Sequence, residues 1–235
     1  MLSVRDLRVA LGAFEMRASF DVPQGRKVAV TGPSGAGKST LLAALGGYVP
    51  LLRGSVEVSG KDVSHAPPDQ RGLAMLFQDG NLFPHLTIAQ NVGLGLRPSL
   101  SLRPDEEARV RESLTRVGLA DCGSRKPAAL SGGQQSRAAL ARVLLQAAPL
   151  LLLDEPFAAL GPALRAEMLG LTADVVAQTG ATLMMVTHAP REVASHVDDL
   201  IYVETGQVDP PKPVDQMLAE PPAGLRAYLG DAGQG

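Results

Sequence analysis

The chain has 235 residues, 45% of them hydrophobic, with 22 basic against 24 acidic side chains and a net charge of −2. That length buries a substantial core, the near-neutral balance offers no basic surface to a nucleic acid, and the single cysteine, Cys122, excludes an internal disulfide framework and fits a reducing compartment. No secretory signal pattern opens the chain, and its longest apolar run, Val143 to Leu153, is too short to span a membrane and contains Gln146 and Pro149, so any membrane association has to come through a partner.

Strand patterns come first, around Ser3–Val9 and Phe14–Val22. A β-type run, Arg26 to Thr31, then leads into Gly32-Pro33-Ser34-Gly35-Ala36-Gly37-Lys38-Ser39-Thr40 and a helical pattern from Leu41 to Leu45. This strand–loop–helix setting marks a phosphate-binding loop. The glycines let successive N–H groups turn toward phosphate oxygens, and the helix N-terminus adds partial positive charge. Lys38 supplies a full charge for the β- and γ-phosphates, and the Ser39 hydroxyl is placed to ligate Mg²⁺. A nucleoside triphosphate is the expected ligand, but kinases, GTPases, helicases and transport motors all share such a loop.

A second apolar strand, Leu73 to Phe77, is closed by Gln78, whose amide could reach both Mg²⁺ and an attacking water. Asp79 to Gly93 mixes apolar residues with turn formers, as expected of a surface that docks another subunit; a loop followed by an ordinary core helix gives the same pattern. A helical pattern with alternating acids and arginines covers Asp105–Val117. Leu130-Ser131-Gly132-Gly133-Gln134 then precedes a longer helical pattern, Gln135 to Ala147. Ser131 can cap that helix, and the paired glycines allow an anion close approach to its N-terminus.

Leu150 to Leu153 is a continuous apolar run ending in Asp154 and Glu155, the pattern of a central parallel strand delivering acids at its C-terminal end, where ligands of open α/β sheets bind. Asp154 is expected to hold Mg²⁺ and Glu155 to polarise the water that attacks the γ-phosphate. His188 closes a further strand, Thr182 to Thr187, and its imidazole could donate to the γ-phosphate. His65, His85 and His196 have no such placement. The end of the chain, from Asp209 to Pro213 and Glu220 to Gly224, is punctuated by proline and glycine and leaves no room for a C-terminal regulatory domain.

With the phosphate loop at 32–40, Gln78, Leu130–Gln134, Asp154-Glu155 and His188 in this order, the chain resembles the nucleotide-binding subunit of ABC transporters over essentially its whole length. The resemblance implies an α/β fold: a P-loop NTPase (RecA-like) core with an antiparallel β subdomain and an inserted α-helical subdomain. It implies one nucleotide-binding domain over 1–235, with the core at about 1–78 and 149–210, a helical lobe at about 79–148 and a short tail at about 211–235. It also implies an ATPase that closes as a head-to-tail homodimer or ABC dimer, each ATP and Mg²⁺ on one subunit's loop being capped by Ser131, Gly132, Gly133 and Gln134 of the other. The further partners implied are a multi-span membrane permease, which holds the subunit at the cytoplasmic face of the bacterial inner membrane, and indirectly a solute-binding protein. No nucleic-acid partner is expected.

The run Leu76 to Thr87, followed by Gly93-Leu94-Gly95-Leu96, looks like the ATPase of bacterial thiamine importers, while importers of iron, sulfate, polyamines and sugars share much of it. An export or lipoprotein-release motor is the competing transporter class. A P-loop kinase or GTPase would lack Leu130–Gln134, and a soluble ABC-type ATPase of DNA repair or translation would need a coiled-coil insertion or a second tandem domain. The chain departs from the family pattern in three places. Ala158-Ala159-Leu160-Gly161 lacks the aspartate that communicates across the dimer. Leu11 stands where an adenine-stacking aromatic is expected, leaving Phe14 as the nearby ring. Gln135 and Ser136 stand where Arg and Gln are common.

Overall fold

A computed structural model describes residues 1–231. The hairpin β1 (Leu2–Leu11) and β2 (Phe14–Val22) is followed by β3 (Lys27–Thr31), which leads through the glycine-rich loop into α1 (Lys38–Leu45). β4 (Arg53–Val58) and β5 (Lys61–Asp62) return to the hairpin, and β6 (Leu73–Leu76) opens onto the helices α2 (Ile88–Gly93), α3 (Pro104–Arg116) and α4 (Gly132–Leu145). The chain re-enters the sheet at β7 (Leu150–Asp154), and α5 (Pro162–Thr179), β8 (Thr182–Val186), α6 (Pro190–Val193) and β9 (Asp199–Glu204) follow. The short strands β10 (Gln207–Val208) and β11 (Lys212–Pro213) and the helices α7 (Val214–Ala219) and α8 (Ala223–Asp231) complete the described chain.

The strands lie in the order β5-β4-β1-β2-β10-β9-β3-β8-β7-β6, with β11 on β9. From β9 to β6 every neighbour is parallel, whereas β1, β2, β4 and β5 pair antiparallel. The residues explain the division. Leu150 to Asp154 and Thr182 to Val186 are buried throughout, as strands covered on both faces have to be. β2 alternates, with Met16, Ala18, Phe20 and Val22 buried between exposed neighbours, the period of a sheet with one wet face.

Successive side chains of the parallel strands feed two cores. Leu150 and Leu152 pack with Leu41, Leu42 and Leu45 of α1 and with the antiparallel sheet. Leu151 and Leu153 pack with α4, α5 and the last two helices. The register aligns Val30 with Val186, Val186 with Asp154, and Leu153 with Leu76. β3, β8, β7 and β6 therefore end at one level, and whatever follows them converges on one edge.

Three local features differ from the sequence expectation. α4 begins at Gly132 and not at Gln135, because Ser131 closes a reciprocal cap: its Oγ accepts from Gln134 N (3.3 Å) and Gln134 Oε1 accepts from Ser131 N (2.9 Å). The Asp79–Gly93 segment divides, since Ile88 and Val92 of α2 are fully buried while Asn81 and Phe83 to His85 in the loop before it are exposed. The end of the chain is not merely turns: Val214, Met217, Leu225 and Leu229 are buried, so α7 and α8 belong to the core.

Candidate active site

The 32–40 loop is held open by packing from below. Gly32 adopts φ +147°, and a Cβ there would run into the carbonyl oxygen of Val203 on β9; Gly37 adopts φ +107°, and a Cβ would lie 2.6 Å from both Phe14 Cζ and Met16 Cε. Only glycine serves at either position. The second contact also seats Phe14, whose ring lies half-buried against the loop. Lys38 is buried, its Nζ donating to Gly32 O (2.8 Å) and Pro33 O (2.9 Å). Burial pushes its ammonium below the ordinary lysine range, opposed by the charges of Glu155 and Asp154.

Asp154 ends β7 and is buried, its Oδ1 accepting from Ser39 Oγ at 3.1 Å. Burial pushes its carboxyl up. Glu155 takes a left-handed backbone, φ +48°, which is rare for a residue with a side chain and costs on the order of 1–3 kcal/mol. The turn it makes aims its carboxylate at His188, with Oε1 2.6 Å from Nε2. Leu11, Phe14, Ser34, Gly35, Gly37, Lys38, Ser39, Thr40, Gln78, Glu155 and His188 line one open pocket of about 420 Å³.

The residues singled out in the sequence thus fall into two groups. Phe14, the 32–40 loop, Gln78, Asp154, Glu155 and His188 come together at the ends of β3, β6, β7 and β8. Ser131, Gly132, Gly133 and Gln134 lie outside the pocket, at the start of α4, where Gly133 faces Leu160 and the carbonyl of Ala159.

Sequence reasoning missed three supporting side chains. Arg142 of α4 donates to Gly80 O (3.0 Å) and Asn81 O (2.8 Å), tying the segment after Gln78 to that helix. Buried Asn91 accepts from Phe83 N (2.7 Å) and donates to Phe83 O (3.1 Å), holding Phe83 at the surface, 46% exposed. Tyr228 of α8 reaches the backbone and the ring of His188. The first two are polar residues on otherwise apolar helix faces, a pattern visible in the sequence; nothing near Tyr228 in the sequence ties it to the site.

A glycine-rich loop on a helix start, a buried lysine and paired acids at strand ends define a nucleoside-triphosphate site on a P-loop ATPase fold. Comparison with known proteins narrows the class. Residues 16–158 match the ABC transporter family. The chain is 53% identical over 230 residues to the thiamine import ATP-binding protein ThiQ of Ruegeria sp. (strain TM1040), covering 98% of this chain and 100% of that one. It is 50% identical over 230 residues, with the same coverage, to the protein of that name from Cereibacter sphaeroides. Among solved structures, the ATP-binding cassette MJ0796, a dimer in a post-hydrolysis state bound to ADP and Pi, matches with a TM-score of 0.81 at 26% identity over 91% of this chain and 99% of that one. A nucleotide-free cassette of an ABC transporter matches in fold with a TM-score of 0.84 at 22% identity over 97% of this chain and 98% of that one. The chain belongs to the ABC transporter family, and it is an ATP-binding subunit that couples ATP hydrolysis to transport.

Proposed function

We propose that this chain is the ATP-hydrolysing subunit of an importer for thiamine and its phosphates. The observation that carries the ATPase chemistry is the convergence of Lys38, Ser39, Gln78, Glu155 and His188 on one pocket. The cargo rests on the relatives named as thiamine import proteins, which align over nearly the whole chain. The domain division expected from the sequence belongs to this proposal: a core at about 1–78 and 149–210, a helical lobe at about 79–148 and the tail beyond.

The loop's N–H groups and Lys38 bind the β- and γ-phosphates, while Phe14 and Leu11 offer the base an apolar wall. Glu155 accepts a proton from the attacking water, and the Nε2–H of His188, already at the carboxylate, is within reach to donate to the γ-phosphate instead. Ser39 and Asp154, with Gln78 on the same pocket, form an oxygen set with a single buried carboxylate, which suits a hard cation that keeps waters and phosphate oxygens as its other ligands. Mg²⁺ held there would neutralise charge on the phosphates. Ser131, Gly132, Gly133 and Gln134 are read as completing the pocket of a second copy in an ATP-closed homodimer. The loop at 79–87, with Phe83 exposed, docks the permease and keeps the subunit peripheral at the cytoplasmic face; no helix among the described residues is long and apolar enough to cross a membrane.

The test is labelled-thiamine uptake in a strain lacking this protein, restored by the native chain or by variants. Deletion should abolish high-affinity uptake. Glu155→Gln should bind ATP yet lose about 10²–10⁴-fold in hydrolysis, since the amide keeps the shape without the basicity, and should not restore uptake. Phe83→Ala should hydrolyse normally as the isolated subunit while failing to restore uptake. Normal thiamine uptake in the deletion strain with loss of another solute would refute the cargo, and near-normal turnover of Glu155→Gln would refute its role as base.

A further inference from the structure

The last described helix sends a polar side chain to the edge of the site. Leu225 and Leu229 seat α8 in the core, and at Gly224 a Cβ would meet the Glu204 carboxylate at 2.5 Å and the Tyr202 hydroxyl at 2.6 Å, so the helix start is fitted closely onto β9. Tyr228, three residues beyond Leu225, shares its face. The Tyr228 hydroxyl lies within donating distance of two His188 acceptors, the carbonyl oxygen at 3.0 Å and Nδ1 at 3.3 Å. Nε2 of the same ring is 2.6 Å from Glu155 Oε1.

Counting protons constrains this chain of contacts. A carboxylate has no proton to give, so the contact with Glu155 calls for an N–H on Nε2, and a neutral imidazole then carries only a lone pair on Nδ1. Among the described residues, Tyr228 is the hydrogen-bond partner of that nitrogen. Burial pushes its phenol up, which keeps the hydroxyl proton in place. The hydroxyl has one proton for two acceptors on one residue, the backbone oxygen and the ring nitrogen of His188, and only the state in which it turns to the nitrogen fixes the tautomer.

We propose that Tyr228 is a positioning residue for ATP hydrolysis: by donating to Nδ1 it holds His188 as the Nε2–H tautomer, with that N–H facing the nucleotide pocket. The inference rests on the role given to His188 above and extends the working site to α8, which contributes nothing to the pocket lining. The backbone oxygen of His188 is the alternative acceptor and keeps the hydroxyl at the ring as the imidazole turns from Glu155 toward phosphate.

Tyr228→Phe removes one hydroxyl and leaves the ring to fill its place. In the full-length protein labelled with ¹⁵N-histidine, the His188 ring nitrogens should report the Nε2–H tautomer, and Tyr228→Phe should shift the signal toward the Nδ1–H form. The kcat for ATP should fall by about threefold to tenfold, the weight of one net hydrogen bond, with KM unchanged. An unchanged ring signal, an unchanged kcat, or a loss confined to KM would each overturn the proposal. His188→Ala separates this inference from the reading beneath it: normal turnover there removes His188 from hydrolysis, while the ring signal of Tyr228→Phe still decides what Tyr228 does. With His188→Ala inactive, Tyr228→Phe at native kcat sinks only the inference.

Discussion

Two glycine-bearing segments open helices in this chain, one at 32–40 before α1 and the other at 131–133 before α4. In the first, Gly32 and Gly37 sit at positive φ and lie so close to Val203, Phe14 and Met16 that no side chain fits. In the second, neither Gly132 nor Gly133 has a positive φ; the space around Gly132 is open, and a Cβ on Gly133 would press only the tip of Leu160 at 3.1 Å and the Ala159 carbonyl at 3.4 Å. The fold itself dictates the first pair. Nothing among the described residues requires a glycine at 132, which leaves room for the second copy proposed to close over this segment.

The sharpest way to break this comparison is to substitute each kind of glycine. Gly32→Ala should destabilise the free subunit severely, because the new methyl enters space held by the β9 backbone and the residue keeps a conformation that L side chains avoid. Gly132→Asp should leave the thermal midpoint and ATP binding of the isolated subunit near native. ATP-driven dimerisation should nevertheless vanish and hydrolysis fall by about a hundredfold or more, since a carboxylate would face phosphate across the interface without a partner. Calorimetry, nucleotide titration and light scattering read the three quantities. A Gly132→Asp protein that still dimerises with ATP would show that α4 does not reach a neighbouring nucleotide.

The helices packed around the second segment have their own lock, and its pH response offers a smaller test. Glu106 accepts from Arg103 N (2.9 Å) and Arg97 Nε (2.9 Å), and these contacts, the Arg103 backbone first, hold its carboxyl down at about 2. A carboxyl lowered in the folded state stabilises above its unfolded value, about 4.5, and that contribution fades as the pH falls toward about 2. Glu106→Gln should therefore lower the urea midpoint at neutral pH and flatten its dependence on pH across that window. Hydrolysis of ATP by the isolated subunit should change little, because no atom of Glu106 touches the pocket. A Glu106→Gln midpoint that tracks the native curve through the same window would show that the carboxylate does not stabilise these helices.

What could be read from the residues divides along the same line. The loop, the acids after the leucine run and the strand-closing Gln78 and His188 were legible because parallel strands are short, wholly apolar and end abruptly, so each polar residue at an end is conspicuous. The start of α4 was misplaced because glycines have poor helix propensity, which the reciprocal cap of Ser131 and Gln134 overrides. Glu155's strained turn and the reach of Tyr228 were not legible at all. One is a backbone dihedral, and the other joins residues 40 positions apart through packing that no local pattern encodes. The final helices were obscured by the prolines and glycine around them, although Leu225 and Leu229 share the helical spacing of a buried face.

Gly161 gives the smallest expected effect and bears on how the two segments communicate. The loop it ends, Ala158 to Gly161, lies against the α4 start through Leu160 and Ala159, and the family aspartate is absent from it. Its backbone, φ −67° and ψ 162°, is one that any residue adopts, and a Cβ would meet nothing within 4 Å. The glycine is therefore not required by the turn. Gly161 also caps α5 without a side-chain bond, so Gly161→Asp should place a carboxylate where the first N–H groups of that helix are free, gaining on the order of 1 kcal/mol from the cap and from the reduced freedom of the unfolded chain. The midpoint should rise by about 2–4 °C. In the complex with its permease the same carboxylate should raise the rate or the cooperativity of hydrolysis, because it restores an acceptor beside the α4 segment proposed to face a second copy. A higher midpoint with unchanged turnover would mean that other contacts across the dimer already do this work, and a lower midpoint would show that the loop cannot accept a cap.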